Sequence, residues 1–332
     1  MFKVLITTVP FGDKDSRPLD LLKANNINYI INPIGRKLTE DELVNMVKDF
    51  DVIIAGTEKI SAKVMEKSTN LKMISRVGIG LDSVDLLEAE RRGIIVSYTP
   101  DAPAPAVVDL TMGLMYTLLR KVHESNIQMH QGKWHRYFGN RLDDSIIGII
   151  GVGRVGSKVI KNLLALGCKK ILYYDKNVKI EKEISDQVTY VTKEYIYQNA
   201  DIISLHLPLD SITRNMITGN EIKMMKKTTF LINTSRGGIV NEQDLYIALK
   251  DKIISGAAID VFHTEPYDGN LVNLDNCILT AHMGSMTIDC RTRMEIEATE
   301  EAVRFLTNKP LESVVPQEEY NEQIFSSSNE KK

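Results

Sequence analysis

Cysteine is scarce in this chain: Cys168, Cys277 and Cys290 are the three among 332 residues, widely spaced and odd in number. Such a set does not make a disulfide framework. It fits a reducing compartment, and each thiol reads as a small buried apolar side chain. A surplus of charge is missing as well, since 41 Lys and Arg stand against 44 Asp and Glu, a formal net charge of -3. That balance leaves no broad electrostatic footprint for nucleic acid or an anionic membrane surface. No apolar run reaches the roughly 18 residues of a membrane span. The opening Phe2-Lys3-Val4-Leu5-Ile6 reads as a strand rather than as the charged and then apolar start of a signal peptide. No repeat of solenoid period is visible, and no metal site is expected. These absences lead us to expect a cytoplasmic globular protein whose partner is a small molecule.

What the chain does contain is alternation. Its 332 residues suit two domains better than one. Val4 to Thr7, Val52 to Ala55, Met73 to Arg76 and Ile94 to Ser97 read as strands, and Asp41 to Phe50 between them as a helix with Thr39 or Asp41 as its cap. This is the pattern of an α/β unit with a parallel sheet. The proline-rich Thr99 to Pro105 breaks regular structure and reads as a connection between domains. A single long helix is expected from about Val107 to Gln131, its Leu and Met stripe serving core or subunit interface. A second βα series then runs through Ile146, Ile171 to Tyr174, Ile202 to Leu205, Phe230 to Asn233, Ala257 to Ile259 and Ile278 to Thr280. One amphipathic helix follows from about Asp289 to Thr307, and the polar end, Gln317 to Lys332, is expected to be a flexible tail.

Two places carry chemistry. Gly151-Val152-Gly153-Arg154-Val155-Gly156 lies directly between the strand run Ile146 to Ile150 and a helical stretch from Ser157. Gly151 permits the tight turn, Gly153 lets backbone approach a pyrophosphate, and Gly156 lets helix pack on strand, with the helix N-terminus facing the phosphates. Asp175, closing the next strand, is spaced to meet the adenosine ribose hydroxyls and to repel a 2′-phosphate, so NAD is expected over NADP, softened by Lys176 and Lys179 nearby. Further on, Arg236, Glu265 and His282 each follow a strand. Reducing a 2-keto acid needs a cation for the carboxylate, a proton donor for the developing alkoxide and a hydride. Arginine binds a carboxylate in two parallel bonds, histidine exchanges a proton near neutral pH, and a carboxylate beside it favours the charged ring.

From about Val4 to about Leu306 the chain resembles the D-isomer-specific 2-hydroxyacid dehydrogenase family, most of all its D-3-phosphoglycerate dehydrogenases. The resemblance rests on Arg76 to Asp85, Gly132-Lys133-Trp134, the glycine motif, His206-Leu207-Pro208-Leu209, Asn233 to Val240, Asp260 to Pro266 and His282-Met283-Gly284. It implies two Rossmann-like, doubly wound parallel-sheet domains, the nucleotide domain inserted into the substrate domain. The boundaries it implies are residues 1–100 with 286–316 for substrate, 101–285 for NAD, and 317–332 as the tail. It makes Arg236, Glu265 and His282 the catalytic residues. It sets the cofactor against Gly151, Gly153, Arg154, Val155, Gly156, Asp175, His206, Pro208, Thr234, Asp260 and Gly284, and the substrate against Arg76, Val77, Gly78, Arg236 and His282.

The reaction implied is hydride transfer between nicotinamide and a small D-2-hydroxy acid or its keto acid, 3-phosphoglycerate among them, in a homodimer joined through the NAD-binding domains. The alternative is a hydroxypyruvate or glyoxylate reductase. A NAD-sensing corepressor and a formate or phosphite oxidiser are the remaining readings, and the intact Glu265 speaks against the formate enzymes, which carry Gln there. Two departures from the family pattern stand out. Ala281 replaces the proline usual before the histidine, and Ala102-Pro103-Ala104 replaces the Gly-Asn-Ser of phosphoglycerate enzymes. The chain is also expected to end where the catalytic core ends, without a regulatory domain.

Overall fold

The computed structural model describes residues 2–177 and 186–329. The chain divides into two compact units, Met1–Pro103 with Met286–Lys332, and Ala104–Ser285. The first begins with β1 (Lys3–Ile6), α1 (Arg17–Ala24), β2 (Asn28–Ile31), α2 (Glu40–Met46), β3 (Val52–Ala55), α3 (Ala62–Lys67), β4 (Met73–Arg76), α4 (Leu86–Arg91) and β5 (Ile95–Ser97). These strands form one parallel sheet in the order β2-β1-β3-β4-β5. β3 and β4 are buried along their whole length. That is why β3, Val52-Ile53-Ile54-Ala55, is a continuous apolar run rather than an alternating one: a parallel strand is covered on both faces. Thr39, one of the two caps the sequence offered, starts α2 with a capping box to Glu42.

The second unit opens on α5 (Ala104–Leu119) and α6 (Val122–His130). Two expectations are corrected here. The proline-rich stretch does not break structure throughout, because Pro105 lies in the first turn of α5, where its missing N–H would have had no helical partner. Nor is there one helix to Gln131. Lys121 takes a left-handed conformation with φ 54°, and its ammonium pairs with Glu124 and lies 4.9 Å from the centre of the Phe230 ring. With no glycine or proline to mark it, that break was invisible.

There follow β6 (Ile146–Ile150), α7 (Gly156–Ala165), β7 (Lys170–Tyr174), β8 (Val188–Tyr190), α8 (Lys193–Asn199), β9 (Ile202–Leu205), α9 (Gly219–Lys223), β10 (Phe230–Asn233), α10 (Glu242–Lys250), β11 (Gly256–Ile259) and β12 (Cys277–Leu279). Their sheet is parallel in the order β12-β11-β10-β9-β6-β7-β8. The order reverses between β6 and β9, and ligands of doubly wound sheets collect beyond the carboxyl ends of the strands at such a switch point.

The chain returns to the first unit with α11 (Ile288–Leu306), which packs on α1, β3 and β4, and α12 (Gln317–Asn329), which packs on α4. The expected flexible tail is thus a helix over residues 317–329. Gln323 explains why polar sequence docks there. Its Oε1 accepts from the Leu86 N–H at the start of α4 at 2.9 Å, and its Nε2 donates to Val84 O at 2.7 Å, while Tyr320 is buried beside them.

Candidate active site

At the end of β6 the glycine motif turns sharply. Gly151 has φ +92°, and a Cβ there would come within 2.2 Å of His206 O on the neighbouring strand end. A Cβ on Gly156 would stand 2.0 Å from Gly151 O, so the first turn of α7 closes on the loop only with glycine at this position. Gly153 differs, because a Cβ there meets no protein atom within 4 Å. Backbone bare toward open space at the start of a helix suits the close approach of a pyrophosphate, and the residues present fit NAD. Arg154 and Val155 complete the turn, Arg154 exposed and Val155 half-buried.

Asp175 follows β7 directly. Its carboxylate accepts from the Val152 N–H at 2.6 Å and from the Asn177 N–H at 2.8 Å, so the expected ribose acceptor also braces the glycine loop. Lys176 is described, whereas Lys179 lies outside the described residues. On β9, Ser204 Oγ bonds His206 Nε2 at 2.9 Å, Nδ1 is buried without a hydrogen-bond partner among the described residues, and burial pushes the ring down to about 4. Pro208 sits in the loop beyond, its carbonyl accepting from Thr213 Oγ1.

The chemical residues come from three strands that lie side by side, β10, β11 and β12. Asn233 organises the first loop: its side-chain amide donates to Arg236 O at 2.9 Å, and its Oδ1 accepts from Ser235 Oγ at 2.7 Å. Arg236 Nη1 reaches Ser235 O at 2.7 Å. A Cβ on the next residue, Gly237, would lie 1.9 Å from Phe262 O, so the arginine loop presses directly on the loop that carries the glutamate. Thr234 is buried and shares a 2.8 Å bond with Thr111 Oγ1 of α5.

From β11, Glu265 takes the Phe262 N–H on Oε1 at 3.1 Å. Both its oxygens face His282 Nδ1, at 3.0 and 2.9 Å. That contact fixes which ring nitrogen faces the carboxylate and turns Nε2 the other way. The His282 backbone is left-handed, φ 48°, and Asp260 accepts bonds from the turn that follows, including the Gly284 N–H at 2.9 Å. Glu265 and His282 are therefore in direct contact, with Arg236 one strand over.

The remaining substrate candidates belong to the first unit. Val77 N donates to Ala55 O at 2.8 Å and Gly78 N to Thr99 Oγ1 at 2.8 Å. Arg76 is buried, with its guanidinium folded over Gly78 and bonded to Val77 O. Sequence reasoning singled out neither Gly237, Asn233 nor Thr280. The double glycine Gly237-Gly238 and an Asn placed two residues before Ser235, the spacing of an Asx turn, were the available signals, whereas Thr280 acts through Asp260, 20 residues away.

Residues 112–284 match the family profile of the D-isomer specific 2-hydroxyacid dehydrogenase NAD binding domain. The chain is 37% identical over 290 residues to a D-3-phosphoglycerate dehydrogenase of Methanocaldococcus jannaschii, covering 85% of this chain and 55% of that relative. It therefore spans little more than half of that protein. It is 36% identical over 276 residues to a hydroxypyruvate reductase of Thermotoga maritima, covering 81% of this chain and 89% of that one. Among solved structures, a Thermus thermophilus protein superposes with a TM-score of 0.86 at 30% identity, covering 95% of this chain and all of the other.

Proposed function

The chain belongs to the D-isomer specific 2-hydroxyacid dehydrogenase family, and from that premise we propose that it interconverts a small D-2-hydroxy acid and its 2-keto acid with NAD. The observation that carries the reading is the Glu265–His282 contact at 2.9 Å, at the strand ends beside the Arg236 loop. Bound NADH supplies the hydride to the carbonyl carbon. Arg236 binds the carboxylate and polarises the adjacent carbonyl. His282 gives a proton to the carbonyl oxygen from Nε2, and Glu265 at Nδ1 stabilises the charged ring and keeps it aimed. In the reverse direction the same nitrogen takes the proton. The carboxylate of Asp175 favours NAD, because a 2′-phosphate would meet like charge.

The substrate we place first is phosphohydroxypyruvate with 3-phosphoglycerate, Arg76 binding the phosphate. A second reading, hydroxypyruvate or glyoxylate, is favoured by the guanidinium of Arg76 being buried and turned onto the Val77 backbone. NADH oxidation with phosphohydroxypyruvate, hydroxypyruvate, glyoxylate and pyruvate, on wild type and Arg76→Ala, separates them. A phosphate contact predicts that the variant loses at least about tenfold in kcat/KM on the phosphorylated acid, mostly through KM, and little on hydroxypyruvate. Equal effects on both substrates transfer the assignment to the unphosphorylated acids.

The protein acts in the cytoplasm as a homodimer joined through its NAD-binding units. Exposed aromatic residues beyond α6, with Trp134 77% and Phe138 fully exposed, support that assembly.

A further inference from the structure

His282 stands in a conformation its own side chain disfavours. Its φ is 48°, in the left-handed region that a residue bearing a β-carbon adopts at a cost. The conformation persists because a fixed set of bonds surrounds it. Asp260 O accepts the His282 N–H at 2.8 Å. The Asp260 carboxylate accepts the next two amides, Met283 N–H on Oδ1 at 2.8 Å and Gly284 N–H on Oδ2 at 2.9 Å. Asp260 is fully buried. A buried carboxylate is tolerable only while donors satisfy it, and beside the two amides the third donor is the hydroxyl of Thr280, to Oδ1 at 2.6 Å.

We propose that Thr280 is a positioning residue for the proton donor: through the Asp260 carboxylate it holds the left-handed turn that aims the His282 ring at Glu265. The inference rests on His282 being the proton donor, and it extends that reading to a residue that touches neither ring nor substrate. Remove the hydroxyl, and Oδ1 keeps one amide in place of two donors. The turn over 282–284 then loses the fixed acceptor that opposes relaxation of His282 to negative φ, and the ring swings with the backbone.

Thr280→Val removes the hydroxyl at nearly constant shape, and Thr280→Ser keeps it. With NADH and the best 2-keto acid of the panel, Thr280→Val should lower kcat at least about tenfold, the scale of one lost charge-assisted bond. KM for the keto acid should stay within about twofold, since the substrate does not touch the hydroxyl, and kcat is read at saturating NADH because Asp260 and Gly284 also border the cofactor. Thr280→Ser should return most of the lost kcat. Independently of turnover, amide hydrogen exchange at Met283 and Gly284 should quicken by about tenfold in the valine variant and not in the serine one. A kcat within twofold of wild type at saturating NADH, no recovery in Thr280→Ser, or a KM for the keto acid raised as much as kcat falls would overturn the proposal. If wild type reduces none of the acids, the functional reading fails by itself. The exchange measurement then decides the clamp, with unchanged rates at 283 and 284 ruling it out.

Discussion

The ring of His206 is kept neutral by burial alone. It sits at the end of β9, where the sheet order reverses, and its backbone carbonyl forms the wall against which Gly151 turns. Its value of about 4 lies below the 6.5 of an unperturbed histidine. Between those values the unfolded chain binds a proton that the folded chain refuses. The stability this ring contributes is therefore fully present above about pH 6.5 and is lost as pH falls toward about 4. His206→Gln removes the titration. The slope of unfolding free energy against pH across that window should fall by up to one proton, about 1.4 kcal/mol per pH unit. Urea unfolding of both proteins at about pH 7, 5.5 and 4.5 measures it, and parallel slopes would contradict the assignment.

At the scale of elements, α12 shows how polar sequence becomes structure. Nothing in Gln317 to Asn329 announces a core face, and the helix docks through Tyr320 and the two bonds of Gln323 to residues 84 and 86. The Leu86 N–H opens α4 and has no partner within that helix. Gln323→Ala should therefore lower stability by about 1–2 kcal/mol in chemical denaturation, and an effect under about 0.3 kcal/mol would mean that α12 contributes nothing to α4.

The same distinction separates what was legible from what was not. β3, β9 and β10 are wholly or mostly apolar runs buried on both faces, and their bounds follow from composition. The glycine motif, Asp175, Arg236, Glu265 and His282 follow strands in the structure where the apolar runs placed them, while the roles given to them came from the family resemblance. The break at Lys121 carries no glycine or proline, and the docking of α12 rests on partners far along the chain, residues 84 and 86. The clamp at Asp260 was hidden in the same way, its donors lying 20 to 24 residues downstream. Local periodicity cannot see such pairs.

For the molecule as a whole, one unit presents the glycine loop, the arginine loop and the Glu265–His282 pair along the carboxyl edge of a single parallel sheet. The other presents Arg76, Val77 and Gly78 at the end of β4. The account stands on His282 as the proton donor. The most direct test is turnover of 2-keto acids by His282→Asn beside NADH binding to the same variant, asparagine being chosen because it tolerates the left-handed backbone at this position. The account predicts kcat at least about 100-fold below wild type, with the Kd for NADH within about twofold. Turnover close to wild type in folded protein that binds NADH normally would contradict it.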